Sequence, residues 1–178
     1  MLLKQEKSAV VSVRMDEDIK LSLESESENN GISINSLISQ ILYKYTKWDT
    51  YIKDIGFGAF PKEFVKKLLE DMDDKEIPEF AVQSSKSSLK NAMIFMNGDI
   101  TIESLGFTLN SWLDAINIQY KESTLDGNKH YILIHELGQK WNIYLQSLLN
   151  SILNDLGHKL YDLKIEKNSM SFTIKSLN

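Results

Sequence analysis

Before residue 116 one short run alternates as a β-strand does, Val10-Val11-Ser12-Val13-Arg14-Met15. A strand carries unpaired N–H and C=O groups along both edges, and each group needs a partner. The next alternating stretch begins at Ile116, too far along the chain to serve as a hairpin mate. The same strand of a second copy satisfies it most simply, in a two-fold intertwined pair. Alternation places Val10, Ser12 and Arg14 on one face and Val11, Val13 and Met15 on the other. The second face is purely apolar and suits packing against helices. The first carries a hydroxyl and a guanidinium.

Arg14 is the sole arginine among 20 basic residues. Its planar fork can grip a guanine edge through two parallel hydrogen bonds, which a lysine cannot do. Net charge is −5 at pH 7, an unpromising balance for nucleic acid. Charge is uneven, however: Lys4, Lys7 and Arg14 face Glu6 alone before Asp16, whereas the stretch from Glu63 to Glu79 is strongly acidic. A small basic reading surface on an acidic body is compatible with this pattern.

Two helical segments follow the strand. Asp16-Glu17-Asp18 supplies an N-cap and acids for a first turn, Ile19 and Leu23 follow at helical spacing, and Asn29-Asn30-Gly31 closes the segment. Ser33 reads as the N-cap of a second helix bearing Ile34, Leu37, Ile38, Ile41, Leu42 and Tyr45 on one face. That periodicity runs on through Trp48, Ile52 and Ile55 until Gly56-Phe57-Gly58.

Strand, helix, Gly-containing turn and helix between Ala9 and Lys47 resemble the ribbon-helix-helix fold of the Arc/MetJ/CopG superfamily of transcription regulators. The resemblance implies a homodimer whose antiparallel ribbon enters the major groove of double-stranded DNA. It implies base contacts from Val10, Ser12 and Arg14, and a phosphate held at the N-terminus of the second helix by Ser33, Ile34 and Asn35. Lys4 and Lys7, on a flexible arm over residues 1–8, are expected to add phosphate contacts. The sequence departs from the family pattern at Val10, where a polar residue often stands, and at Asp16 and Glu17, which bring negative charge near the phosphate path. Glu26 also replaces an apolar anchor of the first helix.

Beyond a helical linker at 48–60, residues 61–178 read as an α+β domain for effector sensing or oligomerisation. Pro61 suits the first turn of a helix with Phe64, Val65, Leu68 and Leu69 inward. Further helices are expected from about Glu79 to Met96 and from Asp99 to Ala115. From Ile116 the period changes to two, Asp126-Gly127 signals a hairpin, and Tyr131, Leu133 and His135 alternate on the return. An amphipathic helix from Gly138 to Leu156 and a hairpin turning at Lys167-Asn168 complete a β-β-α-β-β order. The layout of a ribbon-helix-helix head plus a sensor domain also resembles the nickel-responsive regulator, whose cysteine and histidine ligand set is missing here.

No catalytic constellation emerges, so an enzyme is not expected. The chain has no cysteine, which removes disulfides, thiolate ligands and cysteine nucleophiles. His135-Glu136-Leu137-Gly138-Gln139 lacks the second histidine of a zinc-protease helix, and His130 and His135 fall on opposite sides of one strand. Asp71, Asp73 and Asp74 lack the glycine and terminal glutamate of a calcium loop. Neither a metal nor a cofactor is therefore expected. Trp112, Trp141, Tyr120, Tyr131 and Tyr144 are expected mostly in the core, with some lining an effector pocket between helices and sheet.

The 178 residues contain neither a signal-peptide core at the start nor a run near the roughly 20 apolar residues of a membrane span, so a cytoplasmic prokaryotic protein is expected. The leading expectation is a sequence-specific DNA-binding regulator. The alternative is an antitoxin-like or scaffold protein that uses the N-terminal module to dimerise and the C-terminal domain to bind a protein partner.

Overall fold

The computed structural model describes residues 9–52, 54–55, 57–58 and 60–176. The chain divides into two compact units between Tyr43 and Lys44, a few residues before the boundary expected at 47. Lys4 and Lys7, the expected phosphate-binding arm, lie outside the described residues, as does Gly56 of the expected helix stop.

In the first unit, residues 9–16 carry no regular secondary structure, and the expected strand over Val10–Met15 is absent within the single chain. The physical reason is the one that made the strand unusual: no neighbouring strand completes its hydrogen bonds. Val11 and Val13, expected to face the helices, are 80% and 67% exposed. A ribbon-helix-helix is thus not formed by this chain alone; the observed strands are all C-terminal.

Two helices follow, α1 (Glu17–Asn29) and α2 (Ile34–Lys44). Asp16 stands at the N-cap of α1 without a side-chain capping bond. Between the helices, Gly31 has a φ of 65° in the left-handed region, while Gly31 N–H and Ile32 N–H donate to the Glu28 and Ser27 carbonyls. Glycine occupies that conformation without the Cβ clash other residues meet. The Ser33 hydroxyl accepts from Ser36 N–H at 3.1 Å, the capping bond expected at the start of α2.

The second unit opens with α3, a π-helical turn at Tyr45–Asp49 followed by Thr50–Ile52. Next come α4 (Lys62–Asp71) and α5, which runs as Glu76–Ser84, a second π turn at Ser85–Leu89, and Lys90–Asn97. Helix α6 (Ile102–Ala115) starts with a reciprocal capping box between Thr101 and Ser104. It ends at Ala115 as expected, but the strand expected from Ile116 starts only at Gln119: Ile116 caps the helix with its N–H on the Trp112 carbonyl, Asn117 takes a φ of 52°, and Ile118 N–H donates to the Leu113 carbonyl.

The expected β-β-α-β-β order is observed. Strands β1 (Gln119–Leu125), β2 (Asn128–Ile134), β3 (His158–Glu166) and β4 (Ser169–Ser176) form one antiparallel sheet in the order β1-β2-β4-β3, with α7 (Gln139–Asp155) between the hairpins in sequence. Asp126 and Gly127, with φ of 50° and 77°, make the first hairpin turn. Gly138 precedes α7 at φ 83° and ψ 176°, another conformation reserved for glycine.

Alternation decides which sheet face is covered. Tyr131 and Leu133 of β2 and Met170, Phe172 and Ile174 of β4 are buried, whereas Ile132 and Ile134 are about half exposed. Against the buried face pack Trp141, Leu145, Leu149, Ile152 and Leu153 of α7 with Leu105, Leu109 and Leu113 of α6. The core of this unit is therefore a helix-on-sheet sandwich. Among the described residues, no helix is long and apolar enough to cross a membrane.

Candidate functional site

Each helix of the second unit turns one stripe of side chains toward a shared cavity of about 780 Å³. The stripes follow helical spacing: Val65, Leu68 and Leu69 from α4, Phe80 and Ser84 from α5, Thr108, Trp112 and Ala115 from α6, and Trp141, Tyr144 and Leu148 from α7. Both π turns contribute, the first through Trp48 and the second through Ser88 and Leu89. A π turn inserts an extra residue into the helical ladder, and such turns occur frequently at functional sites. Residues 57, 58 and 60, expected as part of a linker, instead form a wall through Phe57, Gly58 and Phe60.

The walls are aromatic. Trp48 meets Phe57 edge-on at 5.4 Å between ring centroids, Phe60 stacks on Phe64 at 5.5 Å, and Phe80 lies against Tyr144 at 5.7 Å. Trp112 and Trp141 stand 6.4 Å apart. All three tryptophans of the chain line the cavity. Burial pushes the Tyr144 hydroxyl pKa above its ordinary value, although a hydrogen bond with Ser84 opposes the shift. Lys62 is the one charged residue among the described lining residues, and its ammonium donates to the Asn117 carbonyl at 2.9 Å.

Behind Trp141 sits a buried polar network that fixes one wall. His135 is 0% exposed, with its ring 4.4 Å from that of Trp141. Leu137 N–H donates to His135 Nδ1 at 3.0 Å, so the ring proton resides on Nε2 and is directed to Asn142 Oδ1 at 2.9 Å. Asn142 Nδ2 donates to the Glu166 carbonyl at 2.7 Å, and Asn168 receives Gly138 N–H on Oδ1 and gives its carbonyl to His135 N–H. Burial lowers the His135 pKa, the Asn142 hydrogen bond opposes this, and the Lys62 charge adds to it. The network ties the end of β2, the start of α7 and the β3–β4 turn together.

A second polar cluster lies between α6 and the sheet. Lys129 pairs with Glu122 at 2.8 Å, and Asn110 Nδ2 also donates to the Glu122 carboxylate. Burial alone would raise the Glu122 pKa, but the hydrogen bonds from Lys129 and Asn110 outweigh it and hold the group below its ordinary range. Gly106 makes room for this pair, since a Cβ there would stand 2.6 Å from Lys129 Nζ. His130 is bonded to Thr173 at 2.9 Å, away from His135. Among the described residues, no group of three His, Cys, Asp or Glu side chains is placed to hold a metal.

Of the aromatic residues singled out in the sequence, Trp112, Trp141 and Tyr144 line the cavity. Tyr131 instead stacks on Phe172 at 5.2 Å within the core, and Tyr120 packs against its margin. Trp48, Phe57, Phe60 and Lys62 were not marked by the sequence as site residues. Helical periodicity reaches Trp48, but it says nothing of a cavity, and Phe57, Phe60 and Lys62 follow the end of that periodicity.

In the first unit, Val10, Ser12 and Arg14 are exposed in the segment without regular secondary structure, Ser33 and Asn35 are exposed at the start of α2, and Ile34 is half-buried beside them. Arg14 and the N-terminus of α2 thus both present accessible donors. No protein-family model matches the chain, and no match was found among curated proteins or solved structures.

Proposed function

We propose that this protein is a dimeric, sequence-specific DNA-binding transcription regulator of the ribbon-helix-helix type, with the second unit as its effector or oligomerisation domain. The carrying observation is that the first unit leaves its apolar side chains uncovered. Val10, Val11, Val13, Ile19, Leu21, Ile41, Leu42 and Tyr43 are all at least 45% exposed, while among the described residues of this unit Ser27 and Leu37 are the buried ones. Burying one such aliphatic side chain contributes about 1.5–3 kcal/mol, so a second copy covering this surface would be strongly favoured. Pairing the two 9–15 segments would also complete their backbone hydrogen bonds.

In that dimer, Arg14, Ser12 and Val10 of each copy would face the major groove, with Ser33, Ile34 and Asn35 positioning a phosphate. One bidentate arginine–guanine contact is worth about 1–3 kcal/mol of discrimination. The test is selection of bound sites from randomised duplex DNA, followed by mobility shifts across a salt series. Arg14→Ala should lose about tenfold or more of the preference for selected over random DNA while remaining dimeric. Equal preference in the variant would overturn the ribbon as reader. Absence of salt-sensitive DNA binding by the intact dimer would favour the protein-binding alternative.

A further inference from the structure

We propose that the aromatic cavity of the second unit is a binding site for an apolar monoacid, an aliphatic or aryl carboxylate whose body lies among the rings and whose carboxylate meets Lys62. The inference deepens the effector part of the reading above and is independent of its DNA-binding part. A volume of about 780 Å³ is too large for a packing void and falls within the range that holds small-molecule ligands. Tight packing is the norm in the same unit, where the sheet-facing core is buried throughout. The opening therefore persists beside a well-packed core.

The lining defines the ligand class. Phe60, Leu68 and Phe80, at 64%, 50% and 42% exposed, with half-buried Trp112 and the edges of the buried Trp48 and Trp141 behind them, supply apolar surface that suits a hydrocarbon chain or ring system. A polyol would find few partners, the side chains of Ser88, Thr108 and Asn117 and the mutually bonded Ser84 and Tyr144 among the described lining residues, and each hydroxyl left unpaired would cost about 1–3 kcal/mol. An organic cation would gain from ring faces but would meet the Lys62 charge with no carboxylate among the described lining residues to offset it. A monoanion fits both features. Lys62 uses one donor on the Asn117 carbonyl, and an ammonium has two more to offer a carboxylate. A nucleotide phosphate, by contrast, would place two charges against a single cation.

The tryptophans make the test direct, because every tryptophan in the chain reports from this cavity. The full chain, without DNA, is titrated with decanoate, decan-1-ol and decylammonium below their micellar concentrations. Intrinsic fluorescence is followed, and calorimetry gives the stoichiometry. Decanoate should bind saturably, one per chain, about tenfold or more tighter than decylammonium. Lys62→Met should remove about that tenfold for decanoate and leave decan-1-ol unchanged. Ala115→Phe, which fills the cavity from α6, should weaken all three, with far-UV circular dichroism and melting confirming that each variant folds. No saturable signal with decanoate, equal or tighter binding of decylammonium, or decanoate binding indifferent to Ala115→Phe would overturn the assignment. Because DNA is absent, failure here leaves the DNA-binding reading standing, and the converse also holds.

Discussion

Acid should destabilise the second unit through His135. Its Nδ1 accepts from Leu137 N–H at 3.0 Å, so a proton added there would face another donor inside a fully buried pocket. Burial accordingly lowers the folded pKa below the unfolded value of about 6.5. The unfolded chain then binds one more proton than the native chain in the interval between the two values. Stability is fully present above about pH 6.5 and declines as pH falls through that interval, with a slope of about 1.4 kcal/mol per pH unit. From pH 7.5 to 5.5 the integrated loss is about 1.4 kcal/mol when the native ring stays neutral throughout. Asp155 and Asp162, held below the ordinary carboxylate range by their hydrogen bonds to Lys90 and Lys175, act only at lower pH. The assay is urea unfolding at several pH values between 7.5 and 5.5, comparing the parent chain with His135→Gln. Glutamine keeps a donor toward Asn142 but cannot titrate. The parent should lose more stability than the variant across the window, up to about 1.4 kcal/mol. Parallel stability curves for the two proteins would refute the placement of a neutral, single-tautomer histidine in this network.

Trp141→Ala should destabilise the second unit by about 3–5 kcal/mol in urea titration, since the ring is 2% exposed and wedged between His135 and Trp112. Thr101→Ala removes the side-chain acceptor for Ser104 N–H and should cost about 1 kcal/mol, measured the same way. Gly31→Ala forces a Cβ into a φ of 65° and should cost about 1–2 kcal/mol, seen as faster amide exchange in α1 and α2. The double change Val11→Glu, Val13→Glu should convert the chain to monomer in sedimentation equilibrium; an unchanged dimer would remove the apolar face of the 9–15 segment from the interface.

How legible these features were depended on how local their causes are. The first hairpin and α7 were readable because alternation, Asp126-Gly127 and Gly138 act over a few residues. The start of β1 was misplaced because Ile116 and Ile118 also alternate, and what holds them in the helix cap is Ile116 N–H on the Trp112 carbonyl and Ile118 N–H on the Leu113 carbonyl, which periodicity does not reveal. The stretch at 48–60 looked like a connector for a similar reason. Its aromatics are irregularly spaced, and only the convergence of α4, α5, α6 and α7 gives Trp48, Phe57 and Phe60 a common surface.

The sequence by itself determined the α+β class, the C-terminal strand order along the chain, the Ser33 cap and the isolation of an alternating segment around Arg14. Those properties follow from spacing, capping chemistry and the need of every strand for a neighbour. Tertiary structure alone decided that β4 lies between β2 and β3, that His135 is neutral with its proton on Nε2, and that three tryptophans distant in sequence line one cavity with Lys62. Each of those depends on which atoms meet through space, and no local rule of spacing carries that information.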